Sequence, residues 1–97
     1  MPTYIGLLKW TDQGMMDIRH ALLRQDQARS FMEKAGGRII GVYWTQGPYD
    51  AIIVSEFPDD QTAAMVALAT GMAGNARTET VRAYTREEML AILQRLP

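Results

Sequence analysis

The sequence predicts an α+β domain in which a four-stranded antiparallel sheet carries helices on one face. Four short segments rich in β-branched and aromatic residues alternate with helical patterns in the order β-α-β-β-α-β. The break between the second and third strand segments is short enough for an antiparallel hairpin. A length of 97 residues corresponds to a single domain, spanning residues 1–97.

The first half of the chain supplies one strand, a short helix and a longer helix. Residues 3–10 form a short apolar run that ends at Thr11-Asp12, where either side chain can cap a short helix. In the segment 21–35, apolar residues then recur at the spacing of one helix face: Ala28, Phe31, Met32 and Ala35. Gly36-Gly37 predicts the end of this helix, because glycine readily adopts the left-handed conformation.

The second half supplies three strands and two helices. Strands are predicted at residues 38–45, 49–57 and 76–84, and helices at 61–73 and from Thr85 onward. Thr85 and Glu88 have the spacing of a capping box, and the last helix carries one apolar face. The two βαβ halves predict a ferredoxin-like fold with strand order 4-1-3-2 and an extra C-terminal helix.

The apolar residues of the strands predict self-association. Helices cover only one face of such a sheet, yet both faces of at least three strands are apolar. On the second strand, the alternation predicts one face with Ile39, Gly41 and Tyr43 and an opposite face with Ile40, Val42 and Trp44. We therefore expect a homodimer whose two sheets pack face to face as a dimeric α+β barrel. Coverage by the C-terminal helix is the structural alternative.

Composition excludes several classes of function. Ten basic and eleven acidic residues give a net charge of -1, unlike the basic excess of nucleic-acid-binding surfaces. The chain has no cysteine and one histidine, which rules out thiol catalysis, thiolate metal sites and histidine-cluster metal sites. No apolar run approaches a membrane span, and residues 1–10 do not have the pattern of a signal peptide. We expect a cytoplasmic protein with no metal and no cofactor.

Five aromatic or charged residues near strand ends are the candidate ligand-binding residues: Trp10, Tyr49, Asp50, Arg77 and Arg82. Each has a structural alternative. Asp50 is also suited to accept backbone N–H groups in a turn, and the aromatic side chains to core or interface packing. Charges on the last strand also protect a sheet edge from unwanted pairing. If Arg82 and Tyr84 instead point into the dimer cleft, they suit an anion.

The segment Gly47-Pro48-Tyr49-Asp50 resembles the Gly-Tyr-Asp motif of the GYD domain family, with Pro48 at a position that varies in that family. Further matching segments span essentially the whole chain: "KWTDQG", "PDD", "GNARTET" and "REEM". The resemblance implies a branch of the dimeric α+β barrel group with no established activity to carry over. Fold-level relatives include cofactor-free monooxygenases, muconolactone isomerases and ligand-sensing domains, which are analogies only.

Three hypotheses of function follow. The first is a small homodimer that binds a small molecule between sheet and helices or at the dimer interface. The second is a cofactor-free isomerase, lyase or monooxygenase whose base is Asp50, Glu79 or His20. The third is an oligomerisation module that uses the apolar helix 61–73 as a further contact and assembles beyond the dimer.

Overall fold

The computed structural model describes all 97 residues and contains every predicted element. The strands and helices are β1 (Thr3–Trp10), α1 (Asp12–Met16), a 3-10 turn (Ile18–His20), α2 (Ala21–Lys34), β2 (Arg38–Trp44), β3 (Ala51–Glu56), α3 (Asp60–Ala73), β4 (Ala76–Ala83) and α4 (Arg86–Leu93). The predicted α+β class, the order of the elements and the extra C-terminal helix are confirmed. No helix combines the length and apolarity needed to span a bilayer.

The four strands form one antiparallel sheet in the order β2-β3-β1-β4, which confirms the predicted strand order. β1 is central and pairs along its whole length with β4. The loop between β2 and β3 closes as a hairpin, because the backbone N–H of Thr45 donates to the carbonyl of Asp50 at 2.9 Å. Gly47 has a φ of 109° in this loop, a conformation that favours glycine.

Local capping explains where the last two helices begin. Asp59 accepts a hydrogen bond from the backbone N–H of Thr62 at 2.8 Å, which sets the start of α3. The capping box predicted for α4 is present, with Thr85 and Glu88 each accepting a hydrogen bond from the other's backbone N–H. The Thr85 backbone N–H is the first cause of the lowered pKa of Glu88.

The alternation predicted for β2 is wrong because this strand contains a β-bulge. Ile39 pairs with Ser55 while Gly41 pairs with Val54, so one extra residue, Ile40, lies between two consecutive partners on β3. The bulge exchanges the faces of the sheet to which the residues before it point. Ile39 therefore packs against the helix-side core instead of sharing a face with Gly41 and Tyr43.

The core lies between the sheet and the two long helices and is small. Ten of the 97 residues are buried, which is few for a domain that must stand alone. One buried cluster contains Tyr4, Met32, Phe57 and Ala63, and a second contains Leu8, Ala51 and Ala76. The rings of Tyr4 and Phe57 lie 5.6 Å apart with an interplanar angle of 57°. These contacts hold α2 and α3 on one face of the sheet.

The C-terminal helix α4 extends from the body of the domain. Its apolar residues Met89, Leu90, Ile92 and Leu93 are between 39% and 57% exposed. The chain measures 52 × 31 × 18 Å with a radius of gyration of 14.6 Å, above the ~13 Å typical of a compact domain of this length. The alternative in which this helix covers the open face of the sheet is not adopted.

Candidate functional site

A cavity of about 370 Å³ lies between the helix-covered face of the sheet and helices α2 and α3. Eighteen of its 27 lining residues are hydrophobic, so its interior suits an apolar ligand. The large apolar members of this wall are Leu8, Trp10, Phe31, Met32, Ile39, Val42, Trp44, Ile53, Phe57 and Val66. Glycine and alanine line much of the remainder, and their small side chains do not fill the space between the layers.

Gly6 leaves part of the cavity floor open at the centre of β1. A Cβ atom added at Gly6 would meet its nearest neighbour, the carbonyl oxygen of Ile53, at 3.9 Å. This distance is an ordinary van der Waals contact, so a Cβ atom has room at this position, and the cavity that Gly6 lines extends beyond it. The absence of a side chain at Gly6 is therefore a cause of the cavity and not a requirement of the backbone.

The polar groups of the cavity wall are few and mostly uncharged. Arg24 is the only charged lining residue, and no aspartate, glutamate or histidine lines the cavity. Arg24 donates to the backbone carbonyl of Asp17 at 2.7 Å and to its carboxylate at 2.9 Å. Ser55, Thr78 and Thr80 contribute hydroxyl groups to the wall, and Gln25, Gln27 and Asn75 contribute amide groups. The cavity therefore offers apolar surface, hydroxyl and amide groups and one guanidinium that is already held by Asp17.

Trp10 is the one candidate ligand-binding residue from the sequence that lines this cavity. Its ring lies 5.6 Å from the guanidinium carbon of Arg24, within the range of a cation–π contact. Its backbone pairs with Ala76 at the end of β4. Trp10 and Arg24 together form the end of the cavity wall that is nearest to the β2–β3 loop.

Asp50 fastens the β2–β3 loop to the end of β1. Its Oδ2 accepts a hydrogen bond from the backbone N–H of Trp10 at 2.8 Å, and its own N–H donates to the carbonyl of Leu8 at 2.8 Å. The hydroxyl of Thr45 donates to the carbonyl of Tyr49 at 2.7 Å. These bonds use the carboxylate of Asp50 in the turn geometry that was its structural alternative.

Tyr49 lies on the opposite, open face of the sheet. Its hydroxyl donates to Oε2 of Glu79 at 2.8 Å, and Nζ of Lys9 lies 5.4 Å from its ring centre. The hydrogen bond to Glu79, together with partial burial, raises the pKa of the Tyr49 hydroxyl. The side chains of Tyr49 and Asp50, which are adjacent in the motif, thus have different surroundings, because successive residues of an extended chain point in opposite directions.

Arg77 and Arg82 lie at separate places on β4. Arg77 is exposed and borders a shallow depression beside α3 with Leu68 and Met72. Arg82 lies at the far end of the sheet, where its guanidinium carbon is 4.6 Å from the ring centre of Tyr84 and 5.6 Å from that of Tyr4. The five candidate residues therefore do not share one pocket, and ligand binding by any of them stays a prediction.

The three candidate bases lie outside the cavity. Asp50 is bonded to the turn, as described above, and Glu79 is exposed and accepts from Tyr49. His20 is exposed, and its Nδ1 lies 2.5 Å from Asp17, an interaction that lowers the pKa of that carboxyl. No group of three or more histidine, aspartate or glutamate side chains is placed to hold a metal ion. The enzyme hypothesis is thus left without a general base at the cavity.

Sequence reasoning missed the residues that form the cavity. The apolar character of helix 61–73 predicts a contact for further assembly and not a cavity wall, and no sequence pattern singles out Gly6. A usable signal was present, because Gly6 on the helix-facing side of β1 and the alanines on the sheet-facing side of α3 leave volume that no larger side chain fills.

Comparison with known proteins agrees with this architecture. A Thermus thermophilus protein described as "Glutamine synthetase and cystathionine beta-lyase binding protein" is 30% identical over 95 residues, which cover 97% of this chain and all of that protein. The crystal structure of TTHA0845, also from Thermus thermophilus, has a TM-score of 0.55 at 20% identity and covers 88% of this chain and 95% of its own. The GYD domain model matches residues 4–93. The chain is therefore a member of the GYD domain family.

Proposed function

We propose that this protein is a small homodimer that binds a neutral, largely apolar small molecule in the cavity between the sheet and helices α2 and α3. The observation that supports binding is the cavity of about 370 Å³, which lies in the range of roughly 300–1,000 Å³ that ligand pockets occupy. Side chains that line a space of this size lack protein packing partners on that side. A ligand that fills the cavity supplies the missing contacts.

The chemistry of the wall selects the class of ligand. A charged ligand would need a partner charge, and the single guanidinium at Arg24 is engaged by Asp17. A hydrocarbon or aromatic ring system suits Phe31, Trp44 and their neighbours, with one or two polar atoms to meet the hydroxyl groups. We therefore infer a ring compound without net charge as the ligand class.

The homodimer proposal is supported by the open face of the sheet. Ile5, Leu7, Ile52 and Val54 form an apolar patch there that no element of the chain covers. The ion pair of Arg38 with Glu56 lies at one border of the patch. An apolar centre with a polar rim is typical of a protein interface.

Fluorescence of N-phenyl-1-naphthylamine, a neutral apolar dye, tests the cavity. We expect saturable binding to the wild-type protein. We expect at least tenfold weaker binding to Gly6→Leu, because the new side chain occupies the cavity floor. The same substitution leaves the free energy of unfolding unchanged or raises it by roughly 0.5 kcal/mol, since glycine weakens a strand interior.

The matched control is Ser30→Leu, which adds the same side chain at an exposed position of α2. It should bind the dye like the wild type. Equal dye affinity in Gly6→Leu and the wild type, or no saturable binding to either, would contradict ligand binding in this cavity.

A second candidate function is the binding of other proteins. The Thermus relative is named for binding glutamine synthetase and cystathionine beta-lyase. In this chain, α3 presents an exposed apolar stripe: Met65 is 41% exposed, Leu68 70% and Met72 87%. Exposed apolar side chains at the spacing of one helix face are typical of a docking surface.

Interferometry tests this candidate. The protein is immobilised, and glutamine synthetase or cystathionine beta-lyase, each purified from the organism that encodes this chain, is added in solution. Leu68→Lys should weaken binding at least tenfold, while Ser30→Lys, at an exposed position of α2, should not. Failure of both enzymes to bind would remove this candidate. A defined assembly larger than a dimer in sedimentation experiments would instead assign the stripe to further self-association.

A further inference from the structure

The C-terminal helix α4 is fully formed but has no packing partner within the chain. Its capping box defines the start, and Glu87 and Glu88 lie in the first turn where acidic groups favour the helix dipole. Its apolar residues lie on one side and are all at least 39% exposed: Met89, Leu90, Ile92 and Leu93. An eight-residue helix is too short to be stable in water on local interactions alone. Its stability therefore depends on a partner surface.

The connection of α4 to the rest of the chain is confined to its first turn. Nη2 of Arg82 lies 3.7 Å from Oε2 of Glu88, and the guanidinium of Arg82 also stacks near Tyr84. After Glu88, every residue to Pro97 is exposed. The helix thus leaves the end of β4 in a defined direction, while its apolar side remains uncovered.

We propose that α4 packs on a second copy of this chain, across the dimer interface proposed above for the open sheet faces. This inference rests on the proposed homodimer. The chain carries two unpartnered apolar surfaces, the patch around Leu7 and the apolar side of α4, and two-fold association provides both with a partner in one step.

The size of the open face supports this assignment. Four strands at about 4.8 Å spacing and about seven residues at about 3.3 Å each give roughly 19 × 23 Å of projected area. A stable interface buries about 800 Å² of accessible surface per partner. The projected area of the sheet face, roughly 440 Å², is below this value, and an apolar strip of α4 roughly 12 Å long and 10 Å wide adds roughly 120 Å² to it.

The character of the α4 surface favours a permanent partner over a transient one. Its exposed side consists of methionine, leucine and isoleucine, with the charged Arg86 on the same side in the first turn. Permanent interfaces are more hydrophobic than transient ones and resemble a domain core. A second copy of the chain is the partner that is always present at matching concentration.

The test is a photo-cross-linking experiment on the full-length protein. The residue p-benzoylphenylalanine replaces Leu93, and ¹⁴N- and ¹⁵N-labelled proteins are mixed, exchanged and irradiated. Mass spectrometry then separates cross-links within a chain from those between two copies. We expect cross-linked peptides of mixed isotopic label, and far fewer from the same substitution at Ala91, which lies on the opposite side of the helix.

The outcomes separate this inference from the proposals on which it rests. Cross-links confined to one chain, or none, in a protein that light scattering shows to be dimeric would overturn the role of α4 and leave the dimer intact. A monomeric wild-type protein would overturn both. The dye experiment on the cavity is independent of either result.

A substitution series gives a second, quantitative test. Leu93→Lys should raise the dissociation constant of the dimer at least tenfold, because a charge replaces an interface side chain. Ala91→Lys should leave it unchanged. Equal dissociation constants for the two variants would contradict the packing of α4 on a second copy.

Discussion

The helix-covered face and the open face of the sheet use the same four strands but differ in what they lack. On the covered face, Tyr4, Leu8 and Phe57 are buried beneath two helices. Small side chains between these layers nevertheless leave a cavity. On the open face, large side chains such as Ile5 and Leu7 shield one another only in part, and no second layer covers them.

The two faces therefore suit different proposed partners. The covered face contains volume that side chains do not fill, and we propose that a small molecule occupies it. The open face lacks a covering layer of secondary structure, and we propose that another polypeptide supplies it. We therefore assign the proposed ligand binding to the covered face and the proposed self-association to the open face.

The largest effect is expected from a charge on the open face. Leu7 pairs with Ile52 on one side and with Glu79 on the other, so Leu7→Asp places a carboxylate in the apolar patch, beside Glu79 at the border of the patch. We expect the dissociation constant of the dimer to rise at least a hundredfold, because burying an unpaired charge costs several kcal/mol. Sedimentation equilibrium measures the change, with circular dichroism to verify folding.

The control for this experiment is Ser30→Asp, which adds the same charge at an exposed position of α2. It should dimerise like the wild type. If Leu7→Asp dimerises with unchanged affinity, the open face is not the interface, and the contrast between the two faces loses its functional meaning.

A smaller effect is expected at Asp50, which fastens the β2–β3 loop to the end of β1. Asp50→Ala removes the acceptor for the backbone N–H of Trp10, and we expect the free energy of unfolding to fall by about 1–3 kcal/mol. Asp50→Asn retains one acceptor oxygen and should cost less. Urea unfolding measures both, with Gln46→Ala, an exposed loop substitution, as the control. Wild-type stability in Asp50→Ala would argue against the turn role and favour a ligand-binding one.

The smallest effect concerns the well-packed end of the covered face. The buried hydroxyl of Tyr4 donates to Asp60, and this bond, with burial, raises the pKa of Tyr4 to about 12 from its ordinary value of 10.0. In the unfolded chain Tyr4 ionises near pH 10, while in the folded protein it stays protonated. Its contribution to stability is therefore complete below pH 10 and is lost as the pH rises toward about 12.

Comparison with Tyr4→Phe isolates this contribution. The difference in unfolding free energy between wild type and variant should shrink by roughly 1 kcal/mol between pH 10 and 12, as measured by urea unfolding. Tyr43→Phe is the control, since Tyr43 is 64% exposed. A difference that does not change with pH would show that Tyr4 is not shielded in this way.

The sequence was sufficient for the fold because the relevant signals are local. Hydrophobic periodicity, Gly36-Gly37 and the Thr85–Glu88 capping box each act within a few residues, and each predicts an element that is present. The bulge at Ile40 was not predicted, since an extra residue in a strand leaves no periodic signal before its partner strand is known.

The candidate site was only partly predictable. Trp10 lines the cavity, whereas Tyr49, Arg77 and Arg82 lie elsewhere and Asp50 is held in a turn. Strand ends that are close in the predicted topology can still direct their side chains to different faces or edges. That direction depends on the register of three strands together, which no single segment encodes.

The sequence by itself determined the elements, their order and the presence of more apolar surface than one sheet and its helices can bury. The tertiary structure alone decided that this excess is divided into a cavity, an open sheet face and an unpacked α4. The physical reason is one of range. Propensity and capping act between neighbouring residues, whereas unfilled volume and uncovered surface exist only between elements that are distant in the chain.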